Sequence, residues 1–457
     1  MSEVKVTKIA ETNIDPTTLA SHAARMCYTA ESPKLGDMID VKKRLFDTGH
    51  HSTLEHNYWT CMIEDIPVSS VVFGLHLTAP FYDTDQRSGR FSKMYDNPNM
   101  SEIRDTLEKY YPGESDKTIN QSCAFVERGL NVYADNKERV TAMARDAIHR
   151  ERPKANDKYV ESNAPKLAQE QLRMFVSMIA PTALDWTVDL ATICAFYRTA
   201  WTPFMRDAID KIVADIKQNH PDIAYMFDES VRGTKLWNPE FSPVFQGVRY
   251  RPEFKLLDYK YDDGLFQENK SNDTVDTLQF NPEYMNNSLM YVRSRIHVDA
   301  GATMGQDQRH RSIKRSLPVF TGCFYLPPLL DMAGLEKDAG YFMNDFYQLV
   351  HTPDVSRSLL TSISPYGAMV QYDKHADLNA LIHEQGKRTC WCAQEAIYHL
   401  ACDLRYSLEN KVGENAKVLK YLTPPCLYMG HCVEGVRCCG RDLQNEILAE
   451  YFRDRQI

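Results

Sequence analysis

Residues 51–67 read HSTLEHNYWTCMIEDIP, a polar stretch that turns into a two-residue alternation and ends at a proline. Tyr58, Thr60 and Met62 alternate with Trp59, Cys61 and Ile63, which is the period of a half-buried β-strand. Pro67 then suits the first turn of a helix, where its fixed φ fits and its missing N–H would be unpaired in any case. The histidines therefore stand at a strand entrance. Taken one step further back, GHHSTLEH (49–56) holds three histidines and a glutamate. By itself this is a hydrogen-bonded polar loop. A zinc site would need a cysteine or a second histidine cluster at ligand spacing, and the neighbouring sequence supplies neither.

Working outward, apolar residues recur at three- and four-residue spacing over Lys166–Ser177 and Asp189–Lys217, predicting helices. Between about Asp228 and Thr274 the pattern changes. Pro239, Pro243, Pro252 and the polar run DDGLFQENKSNDT suggest a connection between two bodies. Leu289–His297 then reads as a strand, and helical periodicity returns over Asp377–Leu408. Strand followed by helices is thus stated twice, and the expectation is a diverged internal repeat: a first unit over 1–230, a connection over 231–275 and a second unit over 276–457.

The chain has 457 residues, of which 43% are hydrophobic and 25% charged. That is too long for one core of usual size and ordinary for a globular protein. No apolar run approaches the length of a membrane span, and the first residues lack the apolar stretch of a secretory signal. A cytoplasmic protein with no membrane partner is expected. Its twelve cysteines then read as reduced thiols or metal ligands, not as a disulfide framework. A net charge of −9 disfavours nonspecific nucleic-acid binding, so any anionic ligand must be held by a local concentration of Arg and Lys.

Two stretches provide such a concentration. DTDQRSGRFSKM (83–94) offers Ser88, Gly89 and Arg90, where a glycine admits an anion close to the backbone and Ser and Arg donate to it. QDQRHRSIKR (306–315) holds four basic residues and His310 between Arg309 and Arg315. Alone, the first is a basic loop and the second a solvated face. Further on, DLNALIHEQGKRTCWCAQEAIYHLACDLR (377–405) places Asp377, Glu384 and Arg388 near one helical face and Asn379 and His383 on another. An i to i+4 pair between Glu384 and Arg388 is the plain reading.

Together these segments resemble the flavin-dependent thymidylate synthases. That family carries a GHxSPLEH-like loop, an RHR followed at fixed distance by SxRY, and a helix of the form N-x-R-x-x-x-H/N-x-x-x-x-R followed by AQWEI. GHHSTLEH, SGRFSKM, RHR and RTCWCAQEAI match those four pieces, and AARMCY (23–28) matches the helix near the family's start. The pieces are unusually distributed. The first half has SGRF at 88–91 but Thr78-Ala79-Pro80 in place of RHR, whereas the second has Arg309-His310-Arg311 and no SxRY. This is similar to a tandem duplication with complementary losses. Because the family builds sites between the subunits of a homotetramer, a homodimer of this chain is expected to imitate that assembly.

The resemblance implies an α+β fold, with each copy a small, mostly antiparallel sheet flanked by long helices. It implies FAD as cofactor, NADPH and methylenetetrahydrofolate as co-substrates, and a pyrimidine deoxynucleotide monophosphate as substrate. Arg309, His310, Arg311 and Arg388 are the expected catalytic groups. His50, Ser52, Glu55, Asp377, Asn379 and His383, with the RHR triplet, are implied at the flavin. Gln86, Ser88, Gly89, Arg90, Gln306 and Arg388 are implied at the nucleotide. Four positions depart from the pattern: Gln86 replaces a Glu, Asp85 an Asn, Asp377 an Asn, and Asn379 a flavin-binding Arg. Hydroxymethylation or another pyrimidine nucleotide is therefore an alternative, and a non-catalytic nucleotide-binding homologue is a second. The tail TPPCLYMGHCVEGVRCCGR (423–441) is similar to the Cys- and Gly-rich ending of some bacterial members. It reads as a thiol-rich structural tail or a zinc site, though no metal is assigned to it.

Overall fold

The alternation at 58–63 forms the strand it predicts. In the computed structural model, which describes residues 3–78, 82–90, 95, 99–152, 155–233, 237–268, 276–435, 438–439 and 455–457, Trp59, Cys61 and Ile63 are buried while Tyr58 faces solvent. Ala79, Pro80, Phe91–Met94 and Gly440–Arg441, on which parts of the motif reading fall, lie outside the described residues. The chain forms two compact units. The first comprises 1–123, 178–238 and 354–363, and the second 124–177, 239–353 and 364–457, so each draws on both halves of the sequence.

In the first unit, Lys5–Glu11 (β1), Tyr58–Pro67 (β2), Tyr82–Gln86 (β3) and Pro181–Asp189 (β4) form a sheet in the order β1-β2-β4-β3. All its neighbours are antiparallel. The β2–β4 register skips Asp65, which sits at φ 57°, a left-handed conformation that a short polar side chain tolerates. The bulge brings Ile66 and Pro67 inward together. Pro67 closes the strand, so the helix expected there is only Val68–Ser70, continued by a π-type turn at Val71–Leu75. Helix α1 spans Pro16–Met26. The helical stretch read as 189–217 is two helices, Leu190–Thr199 (α2) and Pro203–Asn219 (α3). Asp189 caps α2, accepting from the Thr192 N–H at 2.7 Å, and Thr202 caps α3, accepting from the Met205 N–H at 3.0 Å.

The second unit holds Gly247–Arg249 (β5), Glu253–Lys260 (β6), Tyr291–Asp299 (β7), Lys314–Arg315 (β8), Val319–Tyr325 (β9) and Ala368–Asp377 (β10). The sheet order is β5-β9-β10-β7-β6, with β8 also on β10. Every pairing is antiparallel except β5 with β9. Strands β5 and β6 lie within 231–275, the stretch read as a connection. Strand β6 hides in the sequence because EFKLLDYK sits at a sheet edge, mixes charge with apolar residues, and shifts register between Leu256 and Asp258. Its helices include Thr303–Asp307 (α4), Leu378–Arg388 (α5) and Glu395–Val412 (α6). The continuous helical pattern read from Asp377 to Leu408 breaks over 389–394. Leu378, Leu381 and Ile382 of α5 pack with Leu404 and Leu408 of α6 and Val292 of β7, each such burial contributing about 1.5–3 kcal/mol.

With β5 and β8 set aside, the two sheets share one connectivity. In each, the first, second, fourth and third strands in sequence lie side by side: β1-β2-β4-β3 and β6-β7-β10-β9. The fourth strand of each runs into an Asp-capped helix, through Asp189 in one and through Asp377, which accepts from the Ala380 N–H at 2.9 Å, in the other. A second helix follows in both. Among the described residues no disulfide forms and no helix is long and apolar enough to cross a membrane.

Candidate functional site

Strand β7 ends in Asp299, a buried carboxyl that takes the N–H groups of Ala302 and Thr303 at 2.8 and 2.9 Å and so starts α4. Helix α4 ends at Asp307, and the chain then crosses the RHR triplet in a turn. That triplet divides: Arg309 and Arg311 are exposed, and His310 between them is buried. The expected solvated face is therefore only half correct, since Arg315 at the end of the run turns inward as well. Its guanidinium donates to the Asp307 carboxylate at 2.5 Å and to the carbonyls of His310 and Ile313 at 3.2 and 2.8 Å. Arg315 thus holds the turn from beneath.

Helix α5 brings Arg388 to the same place. Its Nε–H donates to His310 Nε2 at 2.9 Å, and its Nη2 donates to the Gln306 carbonyl at 2.7 Å. Because His310 Nε2 accepts, the ring is neutral and carries its proton on Nδ1. The electrostatics agree: burial first, then the Arg388 cation and His383, hold His310 well below the ordinary imidazole range. Its Nδ1 is buried and has no partner, a donor held ready for an acceptor. The His383 ring stands 5.3 Å from that of His310, edge to face. Gln306 donates through Nε2 to Gln394 Oε1 at 2.7 Å, and Arg173 donates to the same oxygen at 2.8 Å. The structure therefore gathers Gln306, His310, His383 and Arg388, flanked by Arg309 and Arg311. Glu384 does not need Arg388 as its partner; it lies beside Lys374 at 2.6 Å.

The other expected residues of this unit are elsewhere. Asp377 caps α5, and Asn379 is buried with its amide donating to the Tyr284 carbonyl at 3.0 Å and to Ser288 at 3.2 Å. Eleven residues of helix separate Asp377 from Arg388, about 16 Å along the axis. In the first unit, Leu54 anchors the histidine loop in the core while His50 and Ser52 stay exposed and Glu55 half-buried. His51 meets the Phe46 carbonyl at 3.0 Å. Gln86 ends β3 opposite Leu184, and the Ser88 hydroxyl accepts from the Arg90 N–H at 3.3 Å across a turn that includes Gly89. The histidine loop enters β2 opposite Asp189. Leu184 and Asp189 are five residues apart on β4, so these two loops are separated by about 17 Å of strand.

Sequence reasoning missed Asp307, Lys374, Arg315, Tyr372, Gln394 and Arg173. One signal was available: in AMVQYDKHAD the inward positions are Val370, Tyr372, Lys374 and Ala376, and a lysine on the buried face of a strand requires partners. Next to Gln394, the Glu395 carboxyl receives the Tyr325 hydroxyl at 2.8 Å. Burial, and then the nearby Glu170 charge, push its pKa from 4.5 to about 7. A raised carboxyl contributes stability below its unfolded pKa and loses it as pH rises through the folded one. We expect Glu395→Gln and wild type to match near pH 5 in thermal unfolding. The variant should gain roughly 3 kcal/mol over wild type by pH 8, and a gap that does not change with pH would contradict this environment.

Among the described residues no group of three or more His, Cys, Asp or Glu side chains could hold a metal ion. The donor set is of another kind: exposed guanidinium groups around one buried imidazole N–H, which suits phosphates and the acceptor edge of a flat ring. A flavin nucleotide and a pyrimidine monophosphate both fit that chemistry.

Residues 8–221 match the model of the thymidylate synthase complementing protein family (Thy1). No curated protein matches. Among solved structures, the flavin-dependent thymidylate synthase ThyX of Helicobacter pylori, complexed with FAD and dUMP, is similar over 50% of this chain and 100% of its own, at 13% identity and TM-score 0.34. A UMP/dUMP methylase, PolB of Streptomyces cacaoi, bound with 5-Br UMP, is similar over 50% and 94% at 14% identity and TM-score 0.33.

Proposed function

We propose that the chain is a thymidylate synthase-like enzyme that methylates deoxyuridylate at C5, with methylenetetrahydrofolate as carbon donor, FAD as cofactor and NADPH as reductant. The family-model match over residues 8–221 supports the class. The observation that carries the chemistry is Arg388 clamped to His310 and to the Gln306 carbonyl, on residues that the family resemblance assigns to the nucleotide and flavin. When bound, the flavin supplies the hydride that completes the methyl group. The chain supplies positions and charge. Arg309 and Arg311 neutralise phosphate, His310 Nδ1–H donates to a ring acceptor, and Arg388 stabilises electron density on the pyrimidine as C5 becomes nucleophilic. Ser88, Gly89 and Arg90 hold the substrate phosphate, and His50, Ser52, Glu55 and His383 border the flavin, whereas Asp377 is engaged as the α5 cap and Asn379 with Tyr284 and Ser288.

We also propose that the chain carries the family's unit twice, over 1–230 and 276–457, and works as a homodimer. The shared strand order of the two sheets supports the first statement, and the complementary losses of RHR and SGRF support the second. A second reading, hydroxymethylation or a different pyrimidine, is favoured by Asn379. It stands where the family has a flavin-binding Arg, and its amide is occupied by Tyr284 and Ser288.

The test is purified protein incubated with dUMP or dCMP, methylenetetrahydrofolate, FAD and NADPH, with the product read by mass spectrometry. A yellow protein that adds a methyl group to dUMP is expected. A hydroxymethyl product or reaction on dCMP supports the second reading, and a colourless protein indifferent to FAD overturns both.

A further inference from the structure

Beside the site lies a buried group of charges that the chemistry above does not use. Asp307, Lys374 and Glu384 are 2%, 7% and 4% exposed, and they come from α4, β10 and α5. The Lys374 ammonium donates to Asp307 and, at 2.6 Å, to Glu384. Asp307 also takes Arg315 at 2.5 Å and the Tyr372 hydroxyl at 2.9 Å. Asp307, Lys374, Glu384 and Arg388 share one small cleft with Ser294. Glu384 Oε2 lies buried beside it without a partner.

Such an arrangement is poorly explained by stability. Desolvating each ion costs several kcal/mol, and apolar side chains of similar volume pack the same space as well or better. Apolar contacts would not fix direction. Charge-assisted bonds do, and these join the two segments that must be in register for Arg388 to reach His310. Asp307 is three residues before His310 and Glu384 is one helical turn before Arg388.

We propose that Lys374 is a positioning residue: by bridging Asp307 and Glu384 it locks the turn carrying His310 to the helix carrying Arg388. This role presupposes the site reading above, yet it has a readout independent of turnover. The charged groups facing His310 are Arg388 and His383 of α5, Asp307 of α4 and Lys374 of β10. Removing Lys374 removes a cation that disfavours the imidazolium, and it releases the Arg388 bond that holds Nε2.

The experiment compares wild type with Lys374→Met and with Lys374→Met/Glu384→Met, the second leaving no orphaned carboxylate if the first unfolds. Histidine-labelled protein is titrated by NMR, and turnover of dUMP is measured alongside. We expect His310 to titrate at higher pH in the folded variants, its Nδ1–H tautomer to lose preference, and kcat to fall roughly a hundredfold. The conservative Lys374→Arg should restore most of each. A His310 titration unchanged in both Met variants overturns the proposal whatever the turnover. A wild type without pyrimidine activity, but with the titration shifted in the variants, sinks the functional reading and leaves the lock standing.

Discussion

Arg388→Ala is expected to lower kcat on dUMP by at least a hundredfold while the protein remains folded. The side chain donates to His310 Nε2 and to the Gln306 carbonyl, and the guanidinium that makes these bonds is half-buried beside the turn. Losing one preorganised donor at a developing negative charge typically costs about 2.7–4 kcal/mol in the barrier. The structural penalty is smaller. Arg388 is the last residue of α5, so its loss leaves two acceptors unpaired, roughly 1–3 kcal/mol each if water cannot reach them, without opening the core. Arg388→Lys discriminates between charge and geometry: an ammonium cannot make the forked pair, so it should restore little. If Arg388→Ala turns over dUMP at near the wild-type rate, the assignment of the site fails, and with it the roles of His310 and Gln306.

The sequence was legible where one element determines its own pattern. The 58–63 alternation, the strand before RHR and the helices after Asp189 and Asp377 could be read because burial on one side imposes a period. The breaks within those helical stretches were not read, although Thr202-Pro203 is a capping signal. Edge strands were missed for a physical reason: β1 and β6 bury little, so mixed sequences such as KVTKIAE and EFKLLDYK satisfy them. At the site, the residue types of the RHR run were visible, but not their division into exposed Arg309 and Arg311 and buried His310 and Arg315. That division depends on Asp307, Lys374 and Arg388, which are remote in sequence or on other elements. Glu384 shows the limit most directly. Helical spacing offers it Arg388, whereas the fold gives it Lys374 ten residues earlier.

That partner choice makes Asp307 costly to neutralise, because two buried cations depend on it. Burial alone would raise its carboxyl, but the Arg315 and Lys374 cations outweigh it and hold the group well below the usual carboxylate range. Asp307→Asn keeps the shape and deletes the charge. Arg315 and Lys374 would then be buried against Glu384 alone, whose own ionisation burial already disfavours. Breaking a buried pair from one side typically costs 3–5 kcal/mol, and we expect about that loss in denaturant unfolding at pH 7. The sign of the pH dependence follows from the depressed carboxyl. Its contribution is complete above its unfolded pKa near 3.8 and fades as pH falls towards the folded value, so the gap between wild type and variant should close progressively below about pH 4. A loss under about 1 kcal/mol at pH 7 would mean that water screens these charges in solution, and a network so screened could neither fix the turn beneath His310 nor hold α5 in register with it.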